Sequence, residues 1–212
     1  MCGKFTAKAS WADIVDFIHA GAARAADRSV VFRVTGNLPV IVRHDGARRV
    51  APMRWGFPDP SDWRRPRPIH ARGETIDSVP AFARAFRDGQ RGIVLVESFC
   101  EAPDGGRQHV VTPTGPIGIA FLWRRFAIAG LPAPLVACVM ATAPANALIA
   151  GLPADRMPAV LAPEDWAIWL GEIPAPADVV KACLRTVEDV RWTMHPEEHG
   201  KRRGATSGPS LF

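Results

Sequence analysis

The chain has 212 residues, of which 48% are hydrophobic and 22% are charged, a composition typical of a folded protein and not of a disordered one. Its net charge of +5 favours an acidic partner without identifying it. No apolar run long enough to cross a bilayer and no secretory signal pattern is present, so we expect no membrane partner and a cytoplasmic location.

The four cysteines predict neither a disulfide framework nor a zinc site. They lie far apart in the sequence, at Cys2, Cys100, Cys138 and Cys183, and they form no C-x-x-C pair. We therefore expect no metal and no other cofactor. Nothing in the sequence requires more than a monomer.

In the first half of the chain, apolar residues at helical spacing predict a helix from Ser10 to about residue 26. Residues 30–34 and 38–43 are strand-like, and the turn signal His44-Asp45-Gly46 predicts a hairpin. Residues 58–68 are rich in proline and arginine and predict a loop. A short helix then begins near Pro80.

The second half contains further strand-like segments and two short helical segments. The strands are predicted at 92–99, 107–111, 117–123 and 135–142, and the helices at 163–170 and 176–184. Strands and helices alternate without a βαβ rhythm. This favours an α+β fold, a single domain with a largely antiparallel, barrel-like β-sheet flanked by short helices. We expect the domain to span 1–196 and residues 197–212 to form a flexible C-terminal tail.

Arginines lie beside tryptophans at two places, where Trp63 precedes Arg64 and Arg65 and where Trp123 precedes Arg124 and Arg125. Proteins that bind single-stranded nucleic acid combine phosphate neutralisation with base stacking in this way. A solvated loop beside a core tryptophan has the same sequence pattern. Both interpretations stay open.

Four sequence stretches, in their order and spacing, resemble the SRAP family, the SOS response-associated peptidase domain. They are MCGKF at the start, MRWGF at 53–57, IHARGET at 69–75 followed by the segment 80–102, and ADRMPAVL at 154–161 followed by WAIWL. The resemblance covers about residues 1 to 170.

The resemblance implies that the initiator methionine is removed and that the exposed Cys2 captures abasic sites in single-stranded DNA as a thiazolidine crosslink. Autoproteolysis of the leading residue would use the same nucleophile, and the protein would associate with the nucleoid when bound to DNA. The chemistry suits the residue, because its thiol and α-amine titrate near neutral pH and the second step is intramolecular. Without the other motifs, Cys2 would be interpreted as an inert terminal residue.

The resemblance also assigns roles to residues in the other motifs. Glu101, in SFCEA, would be the general acid/base of imine formation, although a hairpin-edge glutamate is the simpler interpretation of that residue alone. Arg72 would clamp a DNA phosphate, and Glu74 would hold its loop in place. No metal is implied.

Four more positions are expected to bind DNA or to shape the site. Trp55 and Gly56 match a Trp-Gly pair whose aromatic ring contacts bases, and a core tryptophan is the equally weighted alternative. Arg156 is assigned to DNA binding, and together with the neighbouring Met157 it would shape the wall of the site. Met157 is as readily a core residue.

Two departures from the family pattern lie at positions that matter for catalysis. His70 stands where the family has an asparagine that positions the N-terminal residue, and Ala154 stands where it has a histidine. We hypothesise that His70 takes over part of that histidine's acid/base work. A smaller departure is Ala102, which replaces an aromatic residue.

Two other functions are considered. A non-catalytic single-stranded DNA-binding homologue with a weakened active site is favoured by the exchange at Ala154. An N-terminal-nucleophile amidohydrolase also begins Met-Cys-Gly, but no accompanying glutamine-site motif is present.

Overall fold

The structure of the protein is a computed structural model, which describes residues 2–7, 30–102, 106–115, 117–152, 154–188 and 192–197. The predicted helix at residues 10–26 lies outside the described residues, as does the tail beyond Glu197. Within the described part of the chain, no helix is long and apolar enough to cross a membrane.

The described strands are β1 (Lys4–Ala7), β2 (Val30–Arg33), β3 (Asn37–His44), β4 (Ala47–Trp55), β5 (His70–Arg72), β6 (Arg91–Val96), β7 (Ser98–Glu101), β8 (His109–Thr112), β9 (Ile117–Phe126), β10 (Leu135–Pro144), β11 (Arg156–Pro158), β12 (Val160–Leu161) and β13 (Thr193–Pro196). The helices are α1 (Pro80–Arg87), α2 (Ala147–Ala150), α3 (Trp166–Leu170) and α4 (Ala177–Ala182). Two 3-10 turns span Gly73–Thr75 and Pro163–Asp165.

Five strands close into a barrel in the order β10-β4-β3-β6-β9, because β10 pairs with both β4 and β9. The β10–β4 pairing is parallel and the other barrel pairings are antiparallel. Strand β5 adds to β10 in parallel, beyond the end of β4. A second, antiparallel sheet has the order β13-β8-β7-β1-β2. The predicted fold class, an α+β single domain with a largely antiparallel barrel, is confirmed.

The predicted strand at 92–99 is two strands that belong to different sheets. Strand β6 belongs to the barrel and β7 to the second sheet, and Glu97 lies between them. The Glu97 backbone N–H donates to the carbonyl of Thr6 on β1 at 2.9 Å. Residues of both strands are buried, so the sequence is apolar on both sides of the break. For this reason the pattern predicts one continuous strand.

Successive side chains along each barrel strand point to opposite faces of the sheet, so the buried hydrophobic residues form two clusters. The helix-side core includes Phe82 and Phe86 of α1 and Trp169 of α3, packed on one face of the barrel strands. The sheet-side core joins the other face to the second sheet and contains Phe5, Phe99 and Cys2. The chain start is therefore built into the interior between the two sheets.

Candidate active site

Cys2 belongs to the sheet-side core and lies two residues before the start of β1. Its side chain is 1% exposed, and the thiol donates to the carbonyl of Lys4 at 3.3 Å. Burial raises the pKa of the Cys2 thiol far above its ordinary value, and the nearby negative charge of Glu101 raises it further. In this structure the thiol is protonated at neutral pH.

Glu101 is brought to Cys2 by strand pairing. The antiparallel pairing of Phe5 with Phe99 carries the end of β7, where Glu101 lies, to the start of β1. Glu101 is 1% exposed, and burial raises the pKa of its carboxyl to about 7. The positive charge of the N-terminus and, to a smaller extent, the Cys2 backbone N–H oppose this shift because both favour the carboxylate. A carboxyl that titrates near neutral pH can both give and accept a proton there.

His70, the first residue of β5, contacts Cys2 from the barrel. Its Nε2 lies 2.7 Å from the backbone carbonyl oxygen of Cys2. Because a carbonyl only accepts hydrogen bonds, Nε2 carries the proton and donates. Burial lowers the pKa of His70, so the ring is neutral at pH 7 and its Nδ1 is a potential proton acceptor.

The three residues predicted to be catalytic, Cys2, His70 and Glu101, therefore come together, although they are far apart in the sequence. Arg72 lies two residues after His70 on β5 and is exposed. Alternate residues of a strand share a face, so Arg72 and His70 are on the same side of β5 while Ala71 packs in the helix-side core. A basic group thus lies at the surface beside the buried site.

Trp55 and Gly56 are both buried. Trp55 has no exposed surface; its indole N–H donates to the Ile69 carbonyl at 3.2 Å, and its ring lies 5.0 Å from that of Phe5. The burial favours the core alternative for Trp55. Gly56 has φ +106°, and a Cβ there would lie 2.2 Å from Cβ of Pro66, so the position requires glycine. Contact of either residue with DNA stays a prediction.

Arg156, the first residue of β11, is 8% exposed. Its guanidinium forms a bidentate ion pair with Glu74 and also donates to the Thr142 carbonyl at 2.7 Å. The hydrogen bond from Arg156 lowers the pKa of the Glu74 carboxyl. The neighbouring Met157 is buried in the sheet-side core. The assignment of Arg156 to DNA binding stays a prediction.

The loop at 58–68 carries the first of the two arginine–tryptophan clusters. Trp63 is partly buried, with the guanidinium carbons of Arg54 and Arg64 at 5.7 and 5.2 Å from its ring. The Arg54 guanidinium donates to two backbone carbonyls of this loop, those of Trp63 and Arg64. Arg54 therefore holds the loop in place, while Arg64, Arg65 and Arg67 are exposed.

Two neighbours of the site were not expected from the sequence. Lys4 is buried and its ammonium pairs with Glu197, the residue that directly follows strand β13. Trp192 packs edge-on against Phe99 at 5.9 Å. In MCGKF a polar residue, Lys4, directly precedes an apolar one, Phe5. This alternation could have indicated a strand in which the two side chains lie on opposite faces. No local pattern marks Trp192.

The described side chains offer no cluster of three or more His, Cys, Asp or Glu that could hold a metal ion. Ala154, where the resemblance implies a histidine, is partly buried against the sheet-side core.

Comparison with known proteins was made on the sequence and on the fold. The model of one family, SOS response associated peptidase (SRAP), matches residues 1–199. The abasic site processing protein YoaM of Bacillus subtilis (strain 168) is 27% identical over 203 residues, which cover 87% of this chain and 85% of YoaM.

Solved structures share the fold. A protein from Bacteroides thetaiotaomicron aligns with a TM-score of 0.79 at 16% identity, over 93% of both chains. A protein from Bordetella bronchiseptica aligns with a TM-score of 0.75 at 22% identity, over 93% of this chain and 100% of the other. At these identities the likeness concerns the fold alone.

The buried carboxyl of Glu101 predicts a pH-dependent stability. Because its pKa is about 7 in the folded chain and ordinarily 4.5, the unfolded state releases the proton first as pH rises. Relative to Glu101→Gln, the protein should lose stability between about pH 4.5 and 7, by about 3 kcal/mol in total, with no further loss above that range. Urea unfolding of both proteins across this range checks the difference, and a constant difference would contradict the assignment.

Proposed function

Because the chain belongs to the SOS response associated peptidase family, we propose that it recognises abasic sites in single-stranded DNA and captures them covalently through Cys2. The relative YoaM is an abasic site processing protein, and this supports the choice of substrate. The observation that carries the proposal is the convergence of Glu101 and His70 on the backbone of Cys2. The reaction requires that Met1 be removed, so that the nitrogen of Cys2 is an amine and not an amide.

The first step forms an imine. The α-amine of Cys2 attacks the aldehyde carbon of the opened abasic sugar, and a proton moves from nitrogen to oxygen to give a carbinolamine. Protonated Glu101 then gives its proton to the hydroxyl group, which leaves as water. A carboxyl with a pKa of about 7 suits this role, because a substantial fraction is protonated at neutral pH.

The second step closes a thiazolidine. When the hydroxyl group leaves as water, the imine nitrogen carries a proton and a positive charge. The sulfur of Cys2 adds to the carbon of this protonated imine while the thiol proton passes to the Glu101 carboxylate, which returns to its starting state, and the ring nitrogen is left as a neutral N–H. One water is lost overall. The raised pKa of the thiol is compatible with imine formation before ring closure. The thiol reacts in the second, intramolecular step, in which the Glu101 carboxylate is the base.

His70 supports the same steps by positioning. Its Nε2–H holds the Cys2 carbonyl at 2.7 Å, which fixes the backbone of the residue that carries both nucleophiles. This is the position where the family resemblance implies an asparagine, and an amide N–H can make a similar hydrogen bond. Removal of Met1 by the same nucleophile belongs to the same proposal.

A second candidate is a non-catalytic protein that binds single-stranded DNA. Two observations favour it: the thiol of Cys2 is buried with a strongly raised pKa, and Ala154 supplies no acid/base group. DNA binding through the exposed arginines would then remain without the covalent step. The experiment that follows separates the two candidates.

Protein lacking Met1, verified by intact mass, should form a denaturation-resistant adduct with single-stranded DNA that contains one abasic site. The adduct mass should equal the sum of the two components less one water. Cys2→Ala should abolish the adduct, because the variant keeps an α-amine but lacks the thiol that closes the thiazolidine ring. Cys183→Ala, which alters a buried cysteine of the helix-side core, serves as the matched control and should react normally.

Absence of the adduct with intact DNA binding would leave only the non-catalytic candidate. An adduct that also forms with protein retaining Met1 would contradict imine formation at Cys2, because an amide nitrogen does not condense with an aldehyde.

His70→Ala should slow adduct formation about fivefold, which corresponds to the loss of one hydrogen bond of about 1 kcal/mol. His70→Asn should retain most of the rate, because the amide can donate to the Cys2 carbonyl. Single-turnover rates of adduct formation and dissociation constants for undamaged single-stranded DNA are measured in parallel. Equal effects of His70→Ala on rate and on binding would exclude a role in the chemistry.

A further inference from the structure

We propose that Arg156 is a positioning residue that acts through Glu74: it holds the Glu74 carboxylate and thereby keeps Arg72 available for a DNA phosphate. The inference deepens the proposed function and rests on it for the identity of the partner. It assigns to Arg156 an indirect effect on DNA binding in place of direct phosphate contact.

The burial and contacts of Arg156 carry the first part of the argument. Its side chain is 9% exposed, and the guanidinium is already occupied by both carboxylate oxygens of Glu74 and by the carbonyl and hydroxyl of Thr142. A guanidinium whose two terminal nitrogens donate to the two oxygens of one carboxylate forms a strong, directional ion pair. Binding a phosphate would require Arg156 to break these bonds inside the protein.

The position of Glu74 carries the second part. Glu74 belongs to the 3-10 turn that directly follows β5, and its side chain is 48% exposed. Arg72, the last residue of β5, is close enough that its charge contributes to the lowered pKa of the Glu74 carboxyl, after the larger effect of the Arg156 hydrogen bond. The carboxylate is therefore paired with the buried guanidinium of Arg156 and lies within the electrostatic reach of the exposed guanidinium of Arg72.

The register of β5 completes the argument. Arg72 pairs with Thr142 on β10, and Thr142 is also the backbone partner of the Arg156 guanidinium. The hydroxyl of Thr142 in turn donates to the Ala71 carbonyl at 3.4 Å. Arg156 thus fixes both the carboxylate and the strand that presents Arg72. When Arg156 is removed, Arg72 is the cation left beside Glu74, and the two side chains pair with each other.

The test is a double-mutant cycle read by affinity for an undamaged single-stranded oligonucleotide, a measurement that does not depend on Cys2. Arg156→Gln should weaken binding about tenfold, because Glu74 then competes with phosphate for Arg72. The slope of log K against log salt should fall by about 0.7, the contribution of one phosphate contact on a single strand. The double variant Arg156→Gln/Glu74→Gln should restore the affinity to within about twofold of that of the unaltered protein. It should also restore the original salt slope.

If Arg156 binds phosphate directly, the double variant stays as weak as Arg156→Gln and the slope does not recover, which would overturn the inference. The double variant decides the matter even where Arg156→Gln alone does not fold. It replaces the whole buried ion pair with neutral amides, a change that proteins often tolerate, whereas removal of one partner leaves an uncompensated charge.

Arg48 and Glu172 provide the matched control, since they form another bidentate pair elsewhere on the molecule, at 2.7 and 2.9 Å. Arg48→Gln and Arg48→Gln/Glu172→Gln make the same charge changes and should bind like the unaltered protein. An affinity gain from Glu172→Gln as large as that from Glu74→Gln would mean that the rescue is a bulk charge effect, and would also overturn the inference.

The two proposals fail in different ways. Adduct formation without rescue by Glu74→Gln refutes the role of Arg156 and leaves covalent capture standing. Rescue without adduct formation refutes covalent capture and leaves the role of Arg156 standing.

Discussion

The pairing of β1 with β7 is the constraint on which the site depends. It joins the start of the chain to the strand that ends at Glu101, and it buries both residues between the barrel and the second sheet. Burial then acts in two ways, since it gives the carboxyl a pKa near neutrality and holds the thiol in its protonated form. The chemistry proposed for Cys2 follows from these two effects of burial. The carboxyl transfers protons, and the protonated thiol reacts only after the imine has formed.

The region around the site separates a buried reaction centre from an exposed basic surface. Strand β5 connects them, because His70 contacts the Cys2 carbonyl while Arg72, on the same face, reaches the surface. The ion pair of Arg156 with Glu74 fixes the end of this strand against β10. Residues that sequence similarity groups together as DNA-binding therefore differ in what they can reach: Arg72 is exposed, whereas Trp55 and Arg156 are buried.

The sequence predicted the fold class and the three residues that converge at the site, because motif order and strand alternation carry that information. It did not predict the change of sheet at Glu97, since an apolar run that is buried in both sheets has no periodic signal at the break. The sequence left the burial of Trp55 open as one of two equal alternatives, and it did not predict the partner of Arg156. Both depend on contacts between segments distant in sequence, with Phe5 in one case and with Glu74 in the other.

The measurement that tests the account most directly is the titration of the Glu101 carboxyl in the folded, full-length chain by carbon-13 NMR, with Glu101→Gln to assign the resonance. The account predicts a midpoint near pH 7, because the group is buried beside Cys2. A midpoint near the ordinary glutamate value of 4.5 would contradict it, since a carboxyl ionised throughout the neutral range cannot supply the proton that imine formation requires.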